Sequence, residues 1–128
     1  MRDWIWLDAE QLLTAHDEQL AEHGGATGIR DRGLFESALA RPQNLAAYGK
    51  PDAGALAAAY CYGLAKNHAF VDGNKRISLV ALESFLLLNG YALDADDGQC
   101  VLIILSVASG ATGEKELAEW IRQHNVAL

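Results

Sequence analysis

Proline is nearly missing from this chain: Pro42 and Pro51 are the only two in 128 residues. Strand-like alternation is almost absent as well, and helical spacing of apolar residues takes its place nearly everywhere. The two cysteines, Cys61 and Cys100, lie far apart with no C-x-x-C spacing. That excludes a disulfide framework or a cysteine-rich zinc site and points to reduced thiols in a cytoplasmic core. Positive charge is in deficit, with 10 Lys and Arg against 17 Asp and Glu and a net charge of −7. A protein that grips nucleic-acid backbones through its overall field is thereby disfavoured. No run reaches the roughly 18 apolar residues of a membrane span. The opening stretch, Met1 to Asp8, is too short and too acidic for a signal peptide. Neither G-x-x-x-x-G-K-[ST], H-E-x-x-H nor G-x-S-x-G occurs, and His16, His23 and His124 share no metal spacing and read as structural or surface histidines.

Apolar residues make up 51% of the chain, enough for one hydrophobic core, and no linker, repeat or low-complexity tract divides it. Residues 1–128 are expected to form a single domain. Asp8 should cap a first helix, with Leu12, Leu13, Ala15, His16, Leu20 and Ala21 inward and Gly24-Gly25 as its stop. Asp31 should cap a second helix that runs through Arg41 and ends at Pro42. Residues 43–51 lack periodicity and read either as a substrate-docking flap or as a plain connecting loop. Asp52 should cap an alanine-rich third helix reaching about His68. Asn74 to Asn89 is apolar nearly all round, which predicts a buried helix at the centre of the bundle. Two more helices follow, Gln99–Ser109 and Glu114–His124. Trp4-Ile5-Trp6 reads either as a short strand or as an apolar arm packed on the bundle. The fold class is all-α, a compact helical bundle around a buried central helix.

One polar run stands out: His68-Ala69-Phe70-Val71-Asp72-Gly73-Asn74-Lys75-Arg76. It joins the third helix to the apolar one. A helix N-terminus offers unpaired N–H groups and a partial positive charge. Gly73 allows close backbone approach, and Lys75 and Arg76 add full charges, so phosphate is the anion that suits the place. His68, with an ordinary pKa near 6.5, is suited to accept a hydroxyl proton beside it. Asp72 offers Mg²⁺ a hard oxygen ligand of the kind that completes a shell of substrate phosphates. Phe70 would pin the loop into the core. Plainer roles compete: Asp72 as an N-cap, Asp72 and Arg76 as an i, i+4 pair, His68 as a histidine tied up at a helix end.

The same nine residues resemble the signature of the Fic/Doc superfamily, H-x-F-x-[DE]-G-N-[GK]-R. The closer resemblance is to its Doc ("death on curing") toxin branch. The chain is short and helical, Lys75 stands where Fic enzymes usually have glycine, and Leu79 stands where the longer Fic motif has its last arginine. Residues Gly24 to Asp31 and Leu34 to Pro42 also look like the Doc N-terminal half. The resemblance implies His68 as catalytic base, Asp72 as the Mg²⁺-associated acid, Gly73, Asn74, Lys75 and Arg76 as the phosphate cradle, and Phe70 as the anchor. It further implies a toxin of a type II toxin–antitoxin system. Its reaction would be transfer of the ATP γ-phosphate to a hydroxyl of a translation factor, elongation factor Tu, stopping translation. Fic-type AMP transfer is the alternative, and an inactive partner-binding helical module is the second. No glutamate is followed by Gly or Asn, so the inhibitory motif [ST]-x-x-x-E-[GN] of many Fic enzymes is absent. The resemblance then implies control by a separate Phd-like antitoxin, whose C-terminal helix would lie in a groove of this chain. Direct binding to nucleic acid or membrane is not expected.

Overall fold

In the computed structural model, which describes residues 3–128, six helices and one two-stranded ribbon follow in the order α1 (Ala9–His23), α2 (Arg32–Tyr48), α3 (Ala53–Asn67), α4 (Asn74–Leu88), β1 (Tyr91–Leu93), α5 (Asp97–Ser109), α6 (Glu114–His124) and β2 (Asn125–Ala127). Residues 1 and 2, the start of the expected domain and of the stretch read as no signal peptide, lie outside the described residues. The helix starts follow the capping rule. Asp8, Asp31, Asp52 and Asp96 each accept the backbone N–H three residues on, satisfying a donor that the helix itself leaves open.

The all-α expectation holds, but the most enclosed helix is α3 rather than α4. Eleven of its 15 residues are buried, among them Ala57, Ala58, Ala59, Cys61 and Gly63. Small side chains let neighbouring helices close on α3 from several sides. A Cβ at Gly63 would already lie 3.3 Å from that of Ala38 on α2. Helix α4, though more evenly aliphatic, keeps Leu87 and Leu88 on the surface. Enclosure here goes with the smaller side chains: α3 is built largely of Ala and Gly, where α4 carries bulkier aliphatics on an exposed edge.

Pro42 does not end α2. The helix runs through it to Tyr48, so residues 43–48 are helical and not the loop expected of 43–51. Proline inside a helix forfeits one backbone hydrogen bond and crowds the carbonyl four residues back. Pro42 is itself buried, and Ala46 one turn on packs against the core, so tertiary burial carries the helix past the break.

The Trp4-Ile5-Trp6 segment is an apolar arm, not a strand. Trp4 and Trp6 lie 6.0 Å from Phe85, ring centre to ring centre. The Asn89 side chain holds Ile5 as a strand neighbour would, accepting from its N–H at 2.9 Å and donating to its carbonyl at 3.0 Å. Leu7 N–H donates to the Tyr60 hydroxyl at 3.1 Å. The ribbon at the far end of α4 pairs Tyr91 with Ala127, Ala92 with Val126 and Leu93 with Asn125, antiparallel. Among the described residues, no helix is long and apolar enough to cross a membrane.

Candidate functional site

Helix α3 ends in His68, at φ 51° and ψ 47°, the left-handed region that a helix C-terminus usually gives to glycine. Among the described residues it is the only non-glycine residue with positive φ. Conformations of this kind persist where the surroundings hold them, and they concentrate at functional sites. The residue is exposed, and no described side chain hydrogen-bonds its imidazole. The plain reading of a histidine tied up at a helix end therefore does not apply.

The loop after His68 is fixed from both sides. Outside, residues 28–31 lie along it: Arg30 and Asp31 N–H both donate to the Ala69 carbonyl, at 2.8 and 3.0 Å, and Val71 N–H donates to Gly28 at 3.1 Å. Ile29 and Phe70 form an isolated antiparallel bridge. Inside, Phe70 is buried, stacked on His16 at 3.8 Å and edge-on to Phe35 at 5.4 Å. The His16 Nε2 lies 2.7 Å from the Asp72 carbonyl. A carbonyl only accepts, so the Nε2 proton points at it. The expected anchor is thus a ring sandwich, and His16, read from sequence as an ordinary structural or surface histidine, is buried inside it.

Asn74 is committed to the loop. Its side chain accepts from Phe70 N–H and donates to the Phe70 carbonyl, each at 3.0 Å. What Asn74 has left for an anion is its main-chain N–H, at the first residue of α4. The N-cap of that helix is Gly73, φ 78°, and no side chain caps it. The first amide of the turn to find a helical partner is Ile77, bonded to the Gly73 carbonyl at 3.0 Å. Amides 74–76 have no hydrogen-bond partner among the described residues, with the helix dipole behind them and the exposed Lys75 and Arg76 on the same turn. Neither cation is in any ion pair among the described residues, and Arg76 makes only a long contact of 3.4 Å to the Gly24 carbonyl.

Asp72 is neither the N-cap of α4 nor paired with Arg76. Its carboxylate is exposed and accepts from Gly73 N–H at 2.8 Å and from Ala26 N–H at 3.3 Å. Those bonds orient the group and leave lone pairs on both oxygens for a cation. The glycines upstream make this possible: a Cβ on Gly25, φ 127°, would stand 2.9 Å from the Asp72 Oδ2. No cluster of three or more His, Cys, Asp or Glu able to hold a metal occurs among the described residues. A single carboxylate that shares Mg²⁺ with substrate phosphates is the arrangement these residues fit.

The thiols are inert by comparison. Burial pushes Cys61 up to about 12 against a weaker opposing hydrogen bond with Ser78, and burial also raises Cys100. Neither is a thiolate nucleophile at neutral pH. Leu79 is partly buried and packs against the core, and its aliphatic side chain has no group to bond a phosphate. The sequence singled out the nine-residue run but gave no site role to Arg30, which reaches the run from 38 residues away. Its only trace in the sequence is its place in the stretch Gly24 to Asp31, which resembles the Doc N-terminal half.

The Fic/DOC family model matches residues 6–86. Over 94 residues the chain is 45% identical to Toxin Doc of Mycolicibacterium smegmatis, covering 71% of this chain and 69% of that protein. Over 118 residues it is 29% identical to Protein kinase doc of Escherichia phage P1, covering 91% of this chain and 93% of that one.

Proposed function

The chain belongs to the Fic/DOC family, and from that premise we propose that it is the toxin of a toxin–antitoxin pair, a transferase that phosphorylates a protein hydroxyl with ATP. The observation that carries this reading is the exposed, left-handed His68 at the end of α3, joined by the short loop 69–73 to the uncapped N-terminus of α4. In the proposed reaction the imidazole of His68 takes the proton of a Ser or Thr hydroxyl. The alcohol oxygen bonds the γ-phosphorus, the bond from that phosphorus to the bridging oxygen breaks, and ADP leaves with the electron pair. Amides 74–76, Lys75 and Arg76 hold the phosphates and the charge spread over them, at the end of a helix where such donors are already oriented. Gly73 lets the backbone approach, the Asn74 side chain keeps the loop in shape, and Phe70 anchors it. Mg²⁺, held by Asp72, would neutralise phosphate charge.

Leu79 favours γ-transfer over the alternative, AMP transfer, since an aliphatic side chain packed on the core cannot orient β- and γ-phosphates from that position. The family-implied target is elongation factor Tu, with docking at the C-terminal end of α2. There Arg41, Asn44, Leu45, Tyr48 and Lys50 line a cavity of about 660 Å³, and Tyr48 is 92% exposed. A Phd-like antitoxin would seat an amphipathic helix in the apolar groove between α1 and α4, lined by Leu7, Leu12, Ala15, Val80, Leu87 and Leu88. In this reading residues 1–128 work as one domain in the cytoplasm and leave DNA contact to the antitoxin. Incubation with a purified translation factor, Mg²⁺ and either γ- or α-labelled ATP tests the chemistry. Label from the γ position alone is the expected result, and protein-bound α label would replace the reading with nucleotidyl transfer.

A further inference from the structure

His68 is held through its main chain and not through its imidazole. Its left-handed turn comes at the end of α3, where carbonyls run out of helical partners. Three consecutive carbonyls there are taken by one residue. The Nε of Arg30 donates to the His68 carbonyl at 2.8 Å, its Nη2 to the Asn67 carbonyl at 3.2 Å, and its own N–H to the Ala69 carbonyl at 2.8 Å. Arg30 is exposed and belongs to no ion pair among the described residues. Its guanidinium is spent on these carbonyls. The fork fits them because guanidinium N–H groups diverge from a rigid plane, and a cation at a helix C-terminus also meets the negative end of the dipole.

We infer that Arg30 is a positioning residue for His68: by bridging the carbonyls on both sides of the left-handed turn, it fixes the direction in which the imidazole leaves the backbone. This rests on the reading of His68 as the proton acceptor. The segment that carries Arg30 also bonds Asp72 through Ala26 N–H, so residues 26–30 brace the base and the acid together. Lysine at position 30 would reach one carbonyl with a point charge but would not span two.

Arg30→Ala, Arg30→Gln and Arg30→Lys in the full chain test it. Two readouts are needed: steady-state transfer from ATP, and the ¹³Cα resonance of His68 in histidine-labelled protein, assigned by its loss in His68→Ala. Arg30→Ala is expected to fold, to keep KM for ATP within about twofold, and to lose kcat by about 10- to 100-fold, the scale of a misplaced catalytic group. Its His68 ¹³Cα resonance should leave the position set by the left-handed turn, and Arg30→Lys should recover part of both losses. An unchanged kcat with an unmoved resonance overturns the inference. A rise in KM alone also overturns it, making Arg30 a nucleotide ligand instead. If the wild-type protein transfers nothing, the reading of His68 as a base fails, while the resonance still decides whether Arg30 holds the turn.

Discussion

Replacing His68 by glycine and, separately, by alanine measures what the site costs the fold. Both substitutions remove an exposed imidazole that no side chain holds, so the lost contacts are the same and small. They differ in how well they accept φ 51° and ψ 47°. For an L-residue with a Cβ the left-handed conformation costs about 1–2 kcal/mol, a cost that glycine escapes. Glycine brings a looser unfolded chain, which takes back about 0.5–1 kcal/mol. His68→Gly should therefore be more stable than His68→Ala by about 0.5–1 kcal/mol, with wild type near the alanine variant. In a chain of this length that is a rise of about 2–4 °C in Tm. Urea denaturation of the three proteins, with m-values compared to confirm a common unfolded state, provides the check. Neither variant should transfer phosphate. Stability of His68→Ala equal to or above that of His68→Gly would refute the argument, because the turn would then hold no strain.

Three further outcomes follow from the same geometry. Asn74→Ala leaves the buried Phe70 N–H and carbonyl without partners and should cost about 2–4 kcal/mol, read as a lower urea midpoint, with transfer lost even where the fold survives. Gly25→Ala puts a Cβ at 2.9 Å from both the Asp72 carboxylate and Leu20 and should raise KM for Mg²⁺–ATP with little change in α-helical circular dichroism. The hydrogen bond from Arg122 holds the Asp52 carboxyl below its usual range. Both side chains are about half exposed, so solvent screening leaves the pair worth less than about 1 kcal/mol. A depressed carboxyl contributes fully above its unfolded pKa of about 3.9, and the contribution fades as pH falls through the folded value. The urea-midpoint gap between wild type and Arg122→Gln should thus be flat from pH 7 to 5 and close below about 4.

Much of the fold could be read from local chemistry. Asp8, Asp31 and Asp52 announce helices because a capping carboxylate acts within three residues of itself. The nine-residue run marks a candidate site because its members are neighbours along the chain. What escaped is non-local. Pro42 reads as a stop until the burial of its own ring and of Ala46 is known. The three-residue strands β1 and β2 are too short to alternate, and their pairing spans more than thirty residues. The enclosure of α3 depends on how closely neighbouring helices approach its Ala and Gly side chains, which its own sequence does not state. Arg30 drew no reading of its own, because its partners lie 37 to 39 residues away along the chain. Asn74 was expected in the phosphate cradle, and its side-chain amide serves Phe70 instead.

The arm and the ribbon converge on one small node. Asn89 grips Ile5, and the neighbouring Gly90 carbonyl accepts from Leu128 N–H at 2.9 Å. Two segments more than a hundred residues apart thus depend on the same two positions at the foot of α4. Deuterium uptake at their amides should rise together rather than separately, and loosening that foot would free an edge of the bundle while leaving the N-terminal end of α4 intact.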